Sequence, residues 1–303
     1  MAVRERERIV FWAVLAALVA GAAVAYLVLL GPAPRPRAPP APPGPPTLRV
    51  GAIAGEVTVV RAGVRTRATA GADLRPDDAI ETAAGSSVEL AGARYTVTLE
   101  EGGRFTVGEI TAELSRFRLA EGLVSAHVED DTRRSVEIEA TPDAVARTRG
   151  GDLSVSRAGP VVAVGVRRGR ADFTAAGSTV ALAEGQQSVA RTGGAPSPPA
   201  PLPSSLLLKV TWPAPRKTNE RRLVVTGLAT PGSVVVLGAE KVEVRPDGTF
   251  THVIVLKEGR QQLGARAYGV AGKAASDGPA MVLDTRAPDA RFDTRDLWAP
   301  GRQ

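Results

Sequence analysis

The chain has 303 residues, rich in glycine (32) and proline (24), with aromatics at 4% and no cysteine. The missing cysteine excludes a disulfide framework, a thiolate metal site and a cysteine nucleophile. The net charge of +6 comes almost wholly from arginines scattered among acids. With few aromatics available for base stacking, it does not indicate nucleic-acid binding.

Residues 1–8 are short and polar, with Arg4, Arg6 and Arg8. An uncharged apolar run follows over 9–30, from Ile9 to Leu30. At about 1.5 Å rise per residue, a helix of that length matches a hydrocarbon core about 30 Å thick. The run is therefore expected to be a single transmembrane helix, a signal anchor holding the chain in a bacterial inner membrane. The arginines before it set the N-terminus inside and the C-terminal domains in the periplasm. Ala23-Val24-Ala25 also offers a signal-peptidase site, so a cleaved signal peptide is the competing reading. The length of the run favours an uncleaved anchor.

Residues 31–49 read as a proline-rich linker, since few amide donors and fixed φ angles keep such a chain extended. Beyond it the pattern turns to short strands of period two, punctuated by glycine. Examples are Gly55–Val60, Ser87–Leu90, Tyr95–Leu99, Arg104–Val107, Arg116–Leu119, Leu123–Val128 and Val161–Val166. Such spacing predicts an all-β domain over 50–192, either a β-sandwich or a β-solenoid-like wrap. A second proline-rich linker is expected over 193–204. About seven further strands over 205–286 predict a smaller Ig-like β-sandwich, with Pro246-Asp247-Gly248 as a hairpin turn. A tail occupies 287–303.

Candidate chemistry is sparse. The two histidines, His127 and His252, fall in different domains, and each sits in a strand pattern. The acidic groups Asp77-Asp78, Glu100-Glu101 and Glu129-Asp130-Asp131 fall at expected turns without the spacing of a calcium loop, which predicts solvated turn residues. Arg149-Gly150-Gly151-Asp152 lacks the lysine and serine or threonine of a phosphate loop. Trp212 is expected to pack at a sandwich edge beside Pro213, whereas Trp298 lies in the tail. No catalytic, cofactor-binding or metal-binding residue is nominated, no cofactor is expected, and the chain is read as no enzyme.

Several segments in order carry a family resemblance. They are Gly55-Glu56-Val57-Thr58-Val59, then Ala70-Gly71-Ala72-Asp73-Leu74-Arg75-Pro76-Asp77-Asp78-Ala79-Ile80-Glu81-Thr82, then Gly85-Ser86-Ser87-Val88-Glu89-Leu90. Further on come Ala140-Thr141-Pro142-Asp143-Ala144, Arg168-Gly169-Arg170-Ala171-Asp172-Phe173 and Leu182-Ala183-Glu184-Gly185-Gln186. Together they resemble the FecR domain over roughly 50–192. The chain departs from that pattern at Asp77, where the family more often has glycine, and at Thr148 and Gly151. In the resemblance, residues 149–152 form a turn. The second unit, through Pro231-Gly232-Ser233-Val234 and Asp247-Gly248-Thr249-Phe250, is similar to bacterial Ig-like adhesive or spacer modules.

The FecR resemblance implies a periplasmic part of a surface-signalling system. Its relatives act between an outer receptor and a sigma factor. Only eight residues precede the apolar run, so a segment holding a sigma factor is not expected. The resemblance therefore implies a non-enzymatic module of the cell envelope that binds a protein partner in a sensory or scaffolding role. The alternative is a protein that binds cell-wall or anionic polysaccharide, and an envelope hydrolase ranks below both. Arginines gathered on one face would favour the polymer reading.

Overall fold

The computed structural model describes residues 3–30, 47–130, 133–214, 217–245 and 247–285, and side chains of the N-terminal helix at 12–24 and 26. The expected linker up to residue 46, the tail, Asp131, Pro246 and Trp298 lie outside the described residues. Helix α1 covers Val3–Leu30. Among the described residues no helix is long and apolar enough to cross a membrane, so the expected span over 9–30 rests on the sequence pattern. Residues 1–44 form one unit and 45–303 a second.

The second unit is predominantly β, with several sheets and no barrel. Its first part runs β1 (Leu48–Ala54), β2 (Val57–Arg61), β3 (Val64–Arg67), β4 (Asp73–Leu74), β5 (Ala79–Thr82), β6 (Ser87–Ala91), β7 (Tyr95–Leu99) and β8 (Arg104–Ile110). It continues with β9 (Leu114–Val128), β10 (Ser135–Thr141), β11 (Ala144–Ala158), β12 (Val161–Ala175), β13 (Ser178–Ala183), β14 (Gln186–Arg191) and β15 (Ala200–Pro201). The remainder holds β16 (Leu208–Thr211), β17 (Lys217–Thr218), β18 (Arg222–Ala229), β19 (Val234–Leu237), β20 (Glu240–Val242), β21 (Thr249–Val255), β22 (Gly259–Gly269) and β23 (Gly272–Leu283).

Pairing folds β1–β15 into two layers. One has the order β3-β2-β5-β8-β9-β10-β11-β12-β13, using the first parts of β9 and β11 and the second part of β12. The other has the order β4-β1-β6-β7-β9-β11-β12-β14-β15, using the opposite parts of the same three strands. All pairs are antiparallel except β9 with β10. Three long strands thus pass from one layer to the other, as strands do at the corners of packed sheets.

The corners fall at glycines. Gly151 (φ 102) and Gly169 (φ 84) face each other where β11 and β12 bend together. A Cβ on Gly169 would stand 2.6 Å from the Gly150 carbonyl oxygen, and one on Gly151 would fall onto that of Arg168. Only a residue without a side chain turns the corner there. Residues 149–152, implied by the resemblance to be a turn, are therefore the bend within a continuous strand. Arg116–Leu119 and Leu123–Val128, expected as separate strands, are likewise parts of β9.

Period-two patterning fills the space between the layers. Tyr95–Leu99 alternates buried and half-buried residues, and its inner side chains meet those of the facing layer. Phe105 and Phe117 stack at 5.1 Å between centroids, and Tyr95 meets Phe117 edge-on at 5.7 Å. Phe173 is fully buried in the same core.

A second core lies between the three-stranded sheet β16-β18-β21 and the five-stranded sheet β17-β23-β22-β19-β20. Phe250, Val225, Met281 and Ala267 fill it. Residues 193–204, expected as a spacer, are docked along the first body. Ser197 accepts from Val189 N through Oγ (3.1 Å), Ala200–Pro201 pairs with β14, and Leu202 N donates to Gly185 O at 2.7 Å. Proline does not prevent this, because β15 sits at the sheet edge, where a missing donor costs least.

The two bodies share an apolar interface. Val161–Val166 is buried on both faces, since its outward face is covered by the second body. Ser156 Oγ donates to Gly232 O at 2.7 Å. A Cβ on Gly232 would stand 3.0 Å from Ala163 Cβ, and one on Gly165 2.9 Å from Val270 Cβ. Ion pairs border this patch: Lys273 to Glu100 and Lys241 to Glu121, both at 2.8 Å, and Arg266 to Glu101 at 2.9 Å.

Candidate functional site

The outward face of the β3–β13 layer carries rows of arginine and glutamate. Period-two alternation sends the inner residues of these strands to the core and leaves arginine and glutamate outside. Register then places them opposite one another. Arg116 faces Glu137, which faces Arg147, which faces Asp172. Arg116 contacts Glu137 at 3.0 Å, Arg147 the same carboxylate at 3.3 Å, and Arg118 Glu139 at 3.7 Å. Arg104 reaches Glu81 at 3.4 Å, and Arg65 pairs with it too. Exposed pairs of this kind contribute about 0–1 kcal/mol each, so the ladder mainly keeps the face soluble and ordered.

Balance fails at the β11–β12 end. Arg147, Thr148, Arg149, Arg170, Ala171 and Asp172 line a groove of about 260 Å³. Among the described residues, no carboxylate lies within 4.0 Å of Arg149 or Arg170. Beneath them the buried Thr148 Oγ1 lies 2.8 Å from both the Gly150 and Arg170 carbonyl oxygens. That hydroxyl ties the two strands together at the corner and is committed there. The groove therefore presents guanidinium donors, suited to oxyanions, with Asp172 at its rim.

On the outward face of the other layer, a row crosses four strands: Thr96, His127, Asp152 and Arg168. His127 Nδ1 lies 2.6 Å from Asp152 Oδ1, and Arg168 Nε 3.4 Å from Asp152 Oδ2. The pair stands half-exposed on a sheet surface. Ser125 and Ser154, one step along the same strands, bond to each other at 3.1 Å. His252, far away on β21, meets Glu240 at 2.8 Å. Both histidines are strand-face residues with acidic neighbours that the sequence did not indicate.

The acidic groups separate into different roles. Asp78 is buried and accepts two hydrogen bonds from Arg61, at 2.8 and 2.6 Å, and one from Arg75 N at 2.8 Å. Burial raises its carboxyl, but those bonds and the charges of Arg61 and Arg75 outweigh it and hold Asp78 below the usual range. Glu100 and Glu101, expected as solvated turn residues, are buried against the second body. Burial also pushes the Tyr268 hydroxyl far above its ordinary value, and the hydrogen bond and charge of Glu101 push it further. Glu129 pairs with Arg94 at 3.1 Å. Among the described residues, no three acids or histidines gather as metal ligands. Trp212 packs against the second core and donates from Nε1 to Ser276 Oγ at 3.1 Å.

No protein-family model matches the chain, nor does any curated protein. Two crystal structures of a candidate anti-sigma factor from Parabacteroides distasonis ATCC 8503 are similar to it, at 20% identity and a TM-score of 0.36. The likeness covers 41% of this chain and 59% of that one. A polysaccharide lyase is similar at 11% identity and a TM-score of 0.21, over 80% of this chain and 40% of the other.

Proposed function

We propose that this chain is a non-enzymatic, membrane-anchored protein of FecR type. Its β bodies work in the periplasm as a partner-binding, sensory or scaffolding module of the cell envelope. One observation carries the reading: the second body is fixed on the outward face of one layer, which leaves the charged face of the other layer open. A docked support and a free, ordered face suit presentation to a partner. The ordered FecR-like motifs over 50–192 support the family reading, and the apolar run over 9–30 supports membrane attachment. The left-handed backbone at Asp77 (φ 70) adds support, since glycine is the residue that the family pattern has there.

The smaller body is taken as the Ig-like module. Binding of an acidic wall polymer is the second reading, and Arg149 and Arg170 of the groove favour it, since neither has a carboxylate within 4.0 Å among the described residues.

Photo-crosslinking in living cells tests the proposal. A reactive residue replaces Arg118 on the open face in one strain and the buried Val124 in another. The expected result is a reproducible adduct with an envelope protein or wall fragment from position 118 and none from 124. Adducts with cytoplasmic proteins alone would contradict it.

A further inference from the structure

We propose that the groove at the β11–β12 corner binds the acidic groups of an anionic polysaccharide through Arg147, Arg149 and Arg170. This deepens the wall-polymer reading and rests on it for biological meaning.

Most arginines elsewhere on this face have acidic partners: Arg65 and Arg104 on Glu81, Arg116 on Glu137, Arg118 on Glu139, whereas Arg67 on β3 has no carboxylate within 4.0 Å among the described residues. At the groove two such arginines stand together. Arg147 shares Glu137 with Arg116, while Arg149 and Arg170 lack a carboxylate within 4.0 Å among the described residues. Like charges on paired strands repel. An oxyanion between them relieves that repulsion and meets several N–H donors in a planar fork.

The shape fits a sugar acid. A groove of about 260 Å³ is smaller than the usual drug-sized pocket and takes one acidic unit. A polymer fits as well as a free ion, because Arg147, Arg149, Arg170 and Asp172 are exposed on an open sheet face and a chain can run on past the groove. Beyond Arg147 the next basic positions, Arg116 and Arg118 on β9, lie behind Glu137 and Glu139 of β10 and are paired with them, so the binding charge is confined to the groove. No aromatic lines the groove, which removes the stacking platform that single-stranded nucleic acid uses. The Thr148 tie fixes the two strands beneath the arginines, so the donors sit on a rigid corner.

The test is calorimetric titration of the full chain in neutral detergent with oligogalacturonate, phosphomannan and neutral dextran. The variant Arg149→Gln/Arg170→Gln removes these two cations of the groove. Arg65→Gln/Arg67→Gln on the same face removes equal charge as a control. Thermal melting checks that both fold.

The expected result is binding of an acidic glycan and not of dextran, weakened about ten-fold by the groove variant and little by the control. Preference for oligogalacturonate or phosphomannan identifies carboxylate or phosphate as the group held. Equal weakening by both variants, or no wild-type binding to either acidic glycan, overturns the proposal. Because the measurement is made on isolated protein, it is independent of where the chain resides. A wrong cellular location would defeat the envelope reading while leaving this result standing.

Discussion

At the scale of single residues, the buried acids tie together distant parts of the chain. Asp78 is 2% exposed, with both oxygens held by Arg61, Arg75 or both. Its folded carboxyl titrates below the unfolded value, so its contribution is present above the ordinary carboxylate range and fades as pH falls through it. Replacing Asp78 with Asn should cost roughly 1–3 kcal/mol at pH 7. In urea melts the difference from wild type should shrink below about pH 4. A gap equally large at pH 3 and pH 7 would contradict this role.

The sequence marked Asp77-Asp78 as turn acids, with Asp77 where the resembled family more often has glycine, a residue suited to the left-handed φ found there. Nothing in the spacing shows that Asp78 turns inward to an arginine seventeen residues back. Glu100 and Glu101 were hidden for the same reason, since their partners lie 173 and 165 residues away.

At the scale of elements, alternation identified most strands and their inner faces. What it did not reveal was continuity. A glycine pair inside a polar stretch reads as a turn, yet at Gly150-Gly151 the chain bends and continues as strand because β12 bends beside it. The distinction depends on a partner strand and is invisible locally. Gly151→Ala should therefore cost about 3 kcal/mol or more, since it adds backbone strain and a clash with Arg168. Chemical denaturation measures this, and a midpoint unchanged from wild type would show that the corner is not tightly closed.

The groove was half legible for similar reasons. Arg147 and Arg149, two apart in a strand, share a face by period alone. Arg170 joins them only through the pairing of β11 with β12. The docking of 193–204 was not legible, because proline richness describes a spacer and an edge strand equally well.

At the scale of the whole molecule, the interface unites the two bodies through a complementary patch. The apolar area of Val161, Ala163 and Val270 excludes water, and ion pairs at its border fix the register. Removing one partner of a buried charge pair leaves the other uncompensated, so register errors there are costly. Composition announced two β units but could not announce their contact, which depends on small residues such as Gly165 and Gly232 meeting across it.

The function proposed for this assembly depends on its side of the membrane. A C-terminal epitope tag, with protease added to intact spheroplasts, reads that directly. The account predicts loss of the tag while cytoplasmic control proteins survive. A tag that stays protected until the membrane is permeabilised would place the β bodies in the cytoplasm and contradict the envelope role.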